Sequence, residues 1–517
     1  MNFKKRLAAV LAVGIVAGLV GYAGVNKMTV KERAEEDTFF LHKDTLYLWY
    51  MDEGLTDYLN SAAVAYNEKY NVRVVPRLTS GRDYLEELNA HSVSGEEMPD
   101  MYIVSNDSLE KAWLSGLASE IRDDAALCTT ENFPQTAVDA VTYHDKRIAY
   151  PLYYETSVLL YNDTYLRQHA ESLLQAQLDA AEGEAAQEAV DEAEEEALES
   201  GEVQEQLAEE AAPEGLSEEQ IEAKMAELLP ENMDELLNFA DNYDAPAELE
   251  SIFKWDVTDI FYSYFFSGKY MIVGGEAGDR TDNIDIYNLN TINCLKVYQN
   301  LNQFFSIDTE EVEYADIIRE FMEGKILFTI ATSDAVPALE AAKEEGTFPY
   351  EYGVALVPDP SGELSGRSLS VTNSLVINGF SEQKEQANQF ADLLVREYSE
   401  SLYERTGKLS SSYLADYGNE RLEIYRKEYE KSIPIPKMLE TSNFWVQLEI
   451  AYTNIWDGKD VNETLRLLSE QIKGQLSGEP VTEEYIEEPV EGATEEYWDE
   501  GMEAEETTET DSADEGE

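Results

Sequence analysis

The alternation of strand and helix patterns after residue 44 constrains the fold more than any other feature of the chain. Residues 45–50 alternate as a strand, and apolar residues then recur at helical spacing over 55–70. Two more strands, 72–76 and 101–104, enclose a second helix over 83–91. This order predicts an open, mainly parallel sheet with helices on both faces, in which a ligand lies beyond the carboxyl ends of the strands.

The stretch 147–162 separates this α/β region from a second one. Residues 148–150 and 157–161 are β-branched, aromatic and apolar, while Pro151 and the polar pair at 155–156 are expected to interrupt any single regular strand. The pattern predicts a hinge between two lobes, where Tyr153, Tyr154 and Glu155 offer two stacking faces and a fixed acceptor. An ordinary buried strand pair with surface tyrosines is the alternative interpretation.

The second α/β region starts at Asn232, which has the pattern of a helix N-cap. Its predicted elements are a helix after Asn232, helices over 285–305 and 314–322, strands over 326–330, 352–360 and 375–377, a helix over 383–395 and largely helical chain to 476. The chain therefore predicts two α/β units in succession.

The charge is strongly acidic, with 107 acidic against 37 basic residues and a net charge of −70. This balance argues against nucleic acid or an anionic membrane surface as a partner. Many acids lie in an Ala-, Glu- and Gln-rich insertion, where Ser217-Glu-Glu-Gln220 matches a capping box and predicts a mobile, solvated helical excursion. A partner-binding arm is the alternative for this insertion. The acidic tail beyond Gly478 is predicted to be disordered.

A short basic stretch, residues 1–6, precedes the uncharged segment 7–25. This arrangement predicts an export signal or an anchor that leaves the remaining chain outside the cytoplasm. We expect attachment to the cell membrane through 7–25, with secretion after cleavage following Ala23 as the alternative. Cys128 and Cys294 are the two cysteines, so a disulfide scaffold is excluded and two isolated buried thiols are favoured over one bridge.

The enzyme classes that carry recognisable motifs find no support. No G-x-G-x-x-G follows the first strand, and the sequence has four histidines without H-E-x-x-H or G-x-S-x-G. We therefore expect no cofactor, no metal and no catalytic residue. A glycosidase that uses two carboxylates remains an alternative in so acidic a chain. A surface protein that binds a polymer or a partner without transport is another.

Nine short motifs follow one another along the two α/β units. They are Leu46-Tyr-Leu-Trp49, Met98-Pro-Asp100, Asp145-Lys146, Ala149-Tyr-Pro-Leu-Tyr-Tyr154, Leu160-Tyr-Asn162, Met233-Asp-Glu-Leu-Leu237, Phe321-Met-Glu-Gly-Lys325, Val357-Pro358 and Thr406-Gly-Lys-Leu409. Together they resemble the family 1 extracellular solute-binding proteins of ABC importers, the sugar-binding, maltose-binding-protein-like receptors. The resemblance covers residues 44–166 and 230–475 and fails over the acidic insertion and the tail.

The resemblance implies an α/β, two-lobed periplasmic-binding-protein-like fold with hinge strands and a ligand cleft between the lobes. The implied division is a signal or anchor segment with spacer (1–43), lobe 1 (44–150 plus 350–415), lobe 2 (151–349 plus 416–476, with the insertion 167–230) and an acidic disordered tail (477–517). It further implies a receptor that closes about its hinge on a small solute, with a mono- or oligosaccharide as the expected ligand. The implied partners are the permease subunits of an ABC transporter.

By matching positions, the resemblance also implies the residues of the cleft. They are Trp49, Asp52, Ser80, Arg82 and Asp107 from the first lobe, Tyr153, Tyr154 and Glu155 at the hinge, and Trp255, Ser333 and Trp445 from the second lobe. The family commonly has a glycine pair before the strand that contains Leu375, where this chain has Asn373 between Thr372 and Ser374, and Asn373 joins the set. Aromatic faces would cover the C–H side of a sugar ring while polar side chains pair its hydroxyls. The family's usual lipid-attachment cysteine is absent after the signal segment.

Overall fold

The computed structural model describes residues 45–79, 84–94, 98–122, 126–200, 216–439 and 442–487. Its strands are β1 Thr45–Tyr50, β2 Arg73–Leu78, β3 Met101–Ser105, β4 Thr142–Tyr143, β5 Lys146–Arg147, β6 Tyr150–Asn162, β7 Ser251–Phe253, β8 Ile272–Val273, β9 Ile284–Asp285, β10 Ile326–Thr332, β11 Tyr352–Ala355, β12 Leu369–Ile377, β13 Leu409–Ser410 and β14 Ile433–Pro434. Its α-helices are Thr56–Tyr70, Tyr84–Ser94, Leu109–Leu114, Gln135–Ala140, Asp163–Ser200, Glu218–Leu228, Met233–Asn242, Ile260–Ser263, Leu289–Phe305, Tyr314–Met322, Ala335–Glu344, Lys384–Arg396, Ser399–Thr406, Glu420–Lys431, Ser442–Trp456 and Val461–Ser477. Short 3-10 turns cover Glu53–Leu55, Asn106–Ser108 and Tyr264–Phe266.

The predicted parallel sheet of the first half is confirmed. β1 lies between β2 and β3 and runs parallel to both. The helix Thr56–Tyr70 connects β1 to β2, buries the apolar face that the spacing predicts, and ends where Asn71 takes a left-handed φ of 57°. The carboxyl ends of the three strands therefore lie on one edge of the sheet, as a crevice for a ligand requires.

β6 is a single 13-residue strand, so the predicted interruption at Pro151 is wrong. Pro151 has no N–H to donate, and the ladder accommodates it by an irregularity: Tyr153 pairs with Asn373 of β12, whereas Pro151 pairs with Ser374. Leu152 is the extra residue on β6 at this register shift, which is the two-against-one arrangement of a β-bulge. The strand therefore continues through the proline instead of ending there.

β6 belongs to both halves of the main sheet. Its first part, up to Thr156, pairs with β12 on one side and with β13 at Tyr153 and Tyr154. From Ser157 onward it pairs with β10 and, nearer its end, with β11. The strand order β2-β1-β3-β12-β6-β10-β7 thus passes from one half to the other through this strand.

The buried side chains form two hydrophobic clusters. One contains Leu48, Tyr102 and Phe390, and the other contains Tyr298 and Leu465. Cys128 lies buried in the first cluster and Cys294 on the helix Leu289–Phe305, and no disulfide joins the two, which confirms the expectation of isolated buried cysteines.

The base of the acidic insertion packs on the second cluster instead of standing free in solvent. Ser217 forms the predicted capping box with Gln220, which starts the helix Glu218–Leu228. Ile221 and Met225 of this helix are buried in the second cluster. Arg167 and Glu218 form an ion pair of 2.7 Å between the two insertion helices. The expected solvated excursion is therefore wrong for this base, because its apolar residues face the lobe.

The acidic tail begins with a fixed segment, which differs from the expected disorder. The Ile486 amide donates to the Tyr287 hydroxyl at 2.9 Å, and the Asn462 side chain donates to the Ile486 carbonyl at 2.9 Å. Lys473 pairs with Glu483 at 2.6 Å. The rest of the tail and the segment 7–25 lie outside the described residues. In the ranges that the structure describes, no helix is long and apolar enough to cross a membrane.

Candidate functional site

A cavity of about 620 Å³ lies beside the point where β6 exchanges its pairing partners. One side comes from β6, β12 and the turn after the helix Ser399–Thr406, and the other comes from second-half segments. The residues that line it are Tyr154, Glu155, Asp259, Phe261, Tyr262, Tyr314, Thr332, Ser333, Asp334, Pro337, Val371, Thr406, Gly407 and Lys408. Three predicted residues, Tyr154, Glu155 and Ser333, are therefore brought together in one cleft.

Two stacked tyrosines form the aromatic wall of the cleft. The rings of Tyr262 and Tyr314 lie 4.5 Å apart with an interplanar angle of 13°. The Tyr314 hydroxyl lies 3.1 Å from the Thr332 hydroxyl and donates to an Asp334 oxygen at 3.2 Å. The Tyr314 amide donates to Asp256 at 3.1 Å. These contacts fix the ring before any ligand arrives, which favours tight binding.

Tyr154 and Ser333 line the cleft and are themselves largely buried. The Tyr154 ring stacks on Tyr429 at 3.9 Å and 4°, and its buried hydroxyl has no hydrogen-bond partner among the described residues. Burial raises the pKa of Tyr154 well above its usual value, so the phenol stays neutral. Ser333 is 6% exposed.

The cleft is acidic. Glu155, Asp259 and Asp334 line it, and Lys408 is the one basic residue of the lining described above. Burial raises the pKa of Glu155, Lys408 opposes that rise, and Asp334 and Asp52 add to it. Burial also raises the pKa of Asp259, whose carboxylate accepts the Phe261 amide at 2.8 Å. The site therefore contains several hydrogen-bond acceptors close together.

Asp52 and Tyr153, two further predicted residues, lie beside the lining and hold Lys408. Asp52 pairs with the Lys408 ammonium at 2.6 Å and accepts the Gly54 amide at 2.9 Å, which caps the turn after β1. The Lys408 nitrogen lies 4.9 Å from the centre of the Tyr153 ring. These contacts connect the carboxyl end of β1 to the cleft.

The structure buries two of the predicted tryptophans in the cores, outside the cavity lining. Trp49 is buried in the first core, where its ring contacts His91 edge-on and lies 4.8 Å from the Arg77 guanidinium. Because β1 is covered on both faces, neither set of alternating residues reaches the cleft. Trp255 is 0% exposed in the second core, and its Nε1 donates to the Ser263 hydroxyl at 3.2 Å.

The remaining predicted residues do not line the cavity. Asp107 is exposed in the turn Asn106–Ser108, Asn373 is half-buried between Ser105 and Tyr153, and Trp445 is half-buried with its ring 5.9 Å from Tyr264. Ser80 and Arg82 lie outside the described residues.

Sequence reasoning missed the aromatic wall and Lys408. Tyr262 belongs to an aromatic-dense segment, 255–268, and Lys408 belongs to the motif Thr406-Gly-Lys-Leu409, so both had a local signal. Tyr314 begins a helix and carries no such signal. The pairing of Tyr262 with Tyr314 arises only when the two segments meet in the fold.

The segment 435–437, which follows β14, connects the two halves of the molecule. The Asn106 side chain donates to the Ile435 carbonyl at 2.6 Å and accepts the Thr372 amide at 2.9 Å. The fully buried Lys437 ammonium donates to the Asp139 carbonyl at 2.9 Å and also to the Ala277 carbonyl. Burial lowers the pKa of Lys437 to about 8, against the opposing effect of nearby Asp279, Asp139 and Glu110.

Comparison with known proteins gives matches over most of the chain. The family described as bacterial extracellular solute-binding protein matches residues 61–403. A maltooligosaccharide ABC transporter solute-binding lipoprotein of Streptococcus pneumoniae serotype 4 is 21% identical over 482 residues, covering 90% of this chain and 97% of that protein. A protein of the same description from S. pneumoniae strain R6 is 21% identical over 440 residues, covering 82% and 88%.

Three solved structures share the fold. An extracellular solute-binding protein from Staphylococcus aureus in complex with maltose has a TM-score of 0.63 at 16% identity and covers 84% of this chain and 98% of that one. A cyclo/maltodextrin-binding protein complexed with maltotetraose has a TM-score of 0.62 at 17% identity, covering 84% and 98%. The maltose-binding periplasmic protein MalE from Listeria monocytogenes in complex with maltose has a TM-score of 0.61 at 17% identity, covering 85% and 100%.

Proposed function

Because this chain belongs to the bacterial extracellular solute-binding proteins, we propose that its cleft binds a carbohydrate and that the protein delivers it to the permease subunits of an ABC transporter. The observation that carries the ligand class is the Tyr262–Tyr314 stack next to hydroxyl and carboxylate groups. An aromatic face matches the apolar C–H side of a sugar ring, and carboxylates accept hydrogen bonds from its hydroxyls. The S. pneumoniae relatives, described as maltooligosaccharide-binding, support the same class.

Each part of the cleft has a place in this proposal. Tyr154, Glu155 and Ser333 contact the sugar from the β6 side and from the end of β10. Lys408 donates to a sugar oxygen, while Asp52 and Tyr153 hold it in position. The two sides close on the sugar because contacts to both are stronger in the closed state.

The test is binding with product analysis on the full chain. A panel of mono- and oligosaccharides that includes maltose and maltotetraose should raise the unfolding temperature for at least one member, because a ligand at 100 times its Kd stabilises the folded state by about 2.7 kcal/mol. Small-angle scattering should show compaction with that sugar, and mass spectrometry should recover it intact. Stabilisation by none of the sugars would contradict the proposal, and recovery of hydrolysed sugar would favour the glycosidase.

We also propose that the uncharged segment 7–25 tethers the protein to the outside of the cell membrane. The segment is long enough to cross a hydrocarbon core, at about 1.5 Å per residue, and no cysteine follows it closely for lipid attachment. Mass spectrometry of the membrane fraction should find the peptide 7–25 intact. A mature N-terminus at Gly24 with the protein in the medium would show secretion instead.

A further inference from the structure

A single buried side chain, that of Lys437, is bonded to both halves of the molecule. Its nitrogen donates to the Asp139 carbonyl, on a helix of the first half, at 2.9 Å. It also donates to the Ala277 carbonyl, in the turn between β8 and β9 of the second half. Lys437 is 0% exposed, so these bonds form out of contact with water. The two halves therefore meet directly at this residue as well as through β6.

The turn before β9 packs closely on the segment 435–437. Gly278 has a φ of +64°, and a Cβ at this position would lie 2.6 Å from the Cα of Pro436, so the approach requires glycine. The Gly278 carbonyl accepts the Lys437 amide at 2.8 Å. The His144 amide of the first half donates to the Asp279 carboxylate of the same turn at 2.7 Å. Tight packing thus encloses the Lys437 side chain from both halves.

The hydrogen-bond partners of Lys437 match a neutral amine better than an ammonium group. An ammonium group has three N–H donors, whereas a neutral amine has two. The described residues supply two acceptors, and both are uncharged backbone carbonyls. A protonated Lys437 therefore leaves one N–H without a partner in a site that water does not reach, which costs free energy.

The charged groups around Lys437 are bonded to other residues. Three carboxylates act on it from three elements: Asp279 in the turn before β9, Asp139 on the helix Gln135–Ala140 and Glu110 on the helix Leu109–Leu114. They accept hydrogen bonds from the His144 amide at 2.7 Å, the Gln135 side chain at 2.7 Å and the Tyr143 hydroxyl at 2.9 Å, respectively. Glu276 and Arg367, which act on Asp139, pair with each other at 2.6 Å. Among the residues that the structure describes, Lys437 forms no ion pair.

We propose that Lys437 is a pH-sensitive contact between the two halves, which holds them together as a neutral amine and loosens when the amine is protonated. Burial lowers the pKa of Lys437 to about 8, from about 10.4 for a lysine in water. The joined arrangement thus binds the proton less tightly than an arrangement in which Lys437 is solvated. It therefore becomes more populated as the pH rises through about 8 and less populated as the pH falls. Because the cleft lies between the same two halves, the pH would then alter its aperture whichever ligand it binds.

Distance measurements between two spin labels on the full chain test this inference. The labels are attached through thioethers to cysteines introduced by Val93→Cys in the first half and Phe304→Cys in the second, where the natural residues are 69% and 59% exposed. Cys128 and Cys294 are 0% exposed and stay unlabelled. The distance distribution should narrow as the pH rises from about 6.5 to about 9. The ratio of the narrow to the broad population should increase about tenfold over this range, with its midpoint near pH 8.

Substitutions of Lys437 identify the titrating group. Lys437→Met fills a similar space without a titratable group, so its distribution should be the same at both pH values. Lys437→Gln keeps two N–H donors without a charge and should also show no pH dependence, so it serves if the first variant does not fold. Lys427→Met is the matched control, because Lys427 is exposed on the helix Glu420–Lys431. This control and His144→Asn, which removes the imidazole next to the contact, should keep the pH dependence of the unmodified protein.

The outcomes either support the inference or overturn it. A distribution in the unmodified protein that does not change with pH overturns it, and so does a pH dependence that persists in Lys437→Met or Lys437→Gln. Loss of the pH dependence in His144→Asn or Lys427→Met also overturns it, since another group would then be responsible. None of these results depends on a sugar, so failure of this inference leaves the carbohydrate proposal standing.

Discussion

Tyr314→Ala is expected to weaken carbohydrate binding about 10- to 100-fold, which is about 1.4–2.7 kcal/mol. The substitution removes the ring that stacks on Tyr262 at 4.5 Å and the hydroxyl that contacts Thr332 and Asp334. The cleft then loses its preformed platform, because Tyr262 loses the ring that stacks on it. Calorimetric titration with the sugar that gives the largest thermal stabilisation measures the effect.

Tyr314→Phe separates the ring from the hydroxyl in this experiment. It keeps the stacking face, so most of the affinity should return, while any remaining deficit reports the lost contacts to Thr332 and Asp334. Tyr485→Ala is the matched control, because Tyr485 is exposed in the tail segment and does not line the cleft. Unchanged affinity in Tyr314→Ala would mean that the sugar does not use the tyrosine wall.

Trp255→Ala is expected to lower the free energy of unfolding by about 3–5 kcal/mol. Trp255 is 0% exposed, stacks on Phe253 at 4.5 Å and contacts Trp456 edge-on at 5.3 Å, so its removal leaves a large cavity in the second core. Denaturant unfolding measures the loss. Below the unfolding transition, the variant should bind the sugar with the affinity of the unmodified protein.

Trp445→Ala serves as the comparison for this substitution. Trp445 is half-buried, so its removal should cost far less stability than that of Trp255. A small loss of stability in Trp255→Ala together with a large loss of sugar affinity would show that Trp255 contacts the ligand, as the sequence resemblance implied. A large stability loss with intact affinity fixes it as a core residue.

Local patterns predicted the elements well. The alternation over 45–104 and the caps at Ser217 and Asn232 depend on residues close together in sequence, and the structure has a strand or a cap at each of these places. The roles of tryptophans were harder to predict. An aromatic residue at the carboxyl end of a strand has the same local pattern whether it faces a ligand or an opposing helix, and only the packing of distant segments decides between the two for Trp49 and Trp255.

The proline in β6 shows the same limit for backbone structure. Pro151 lacks the N–H that a central strand needs, so a break is the reasonable expectation from sequence. The partner strand removes the conflict by a register shift between Asn373 and Ser374. Such a shift depends on the pairing strand, which lies more than two hundred residues later in the chain.

β6 pairs with β12 in its first part and with β10 in its second part, and the change occurs beside the cleft. If the cleft opens, the backbone of β6 has to bend at this point. Thr156 pairs with Ser370 on β12, and the next residue, Ser157, pairs with Thr332 on β10. The two ladders thus meet at one peptide unit, so the angle between them depends on the backbone torsions of these two adjacent residues. At β6, we therefore expect the aperture of the binding site to follow the backbone torsions of Thr156 and Ser157.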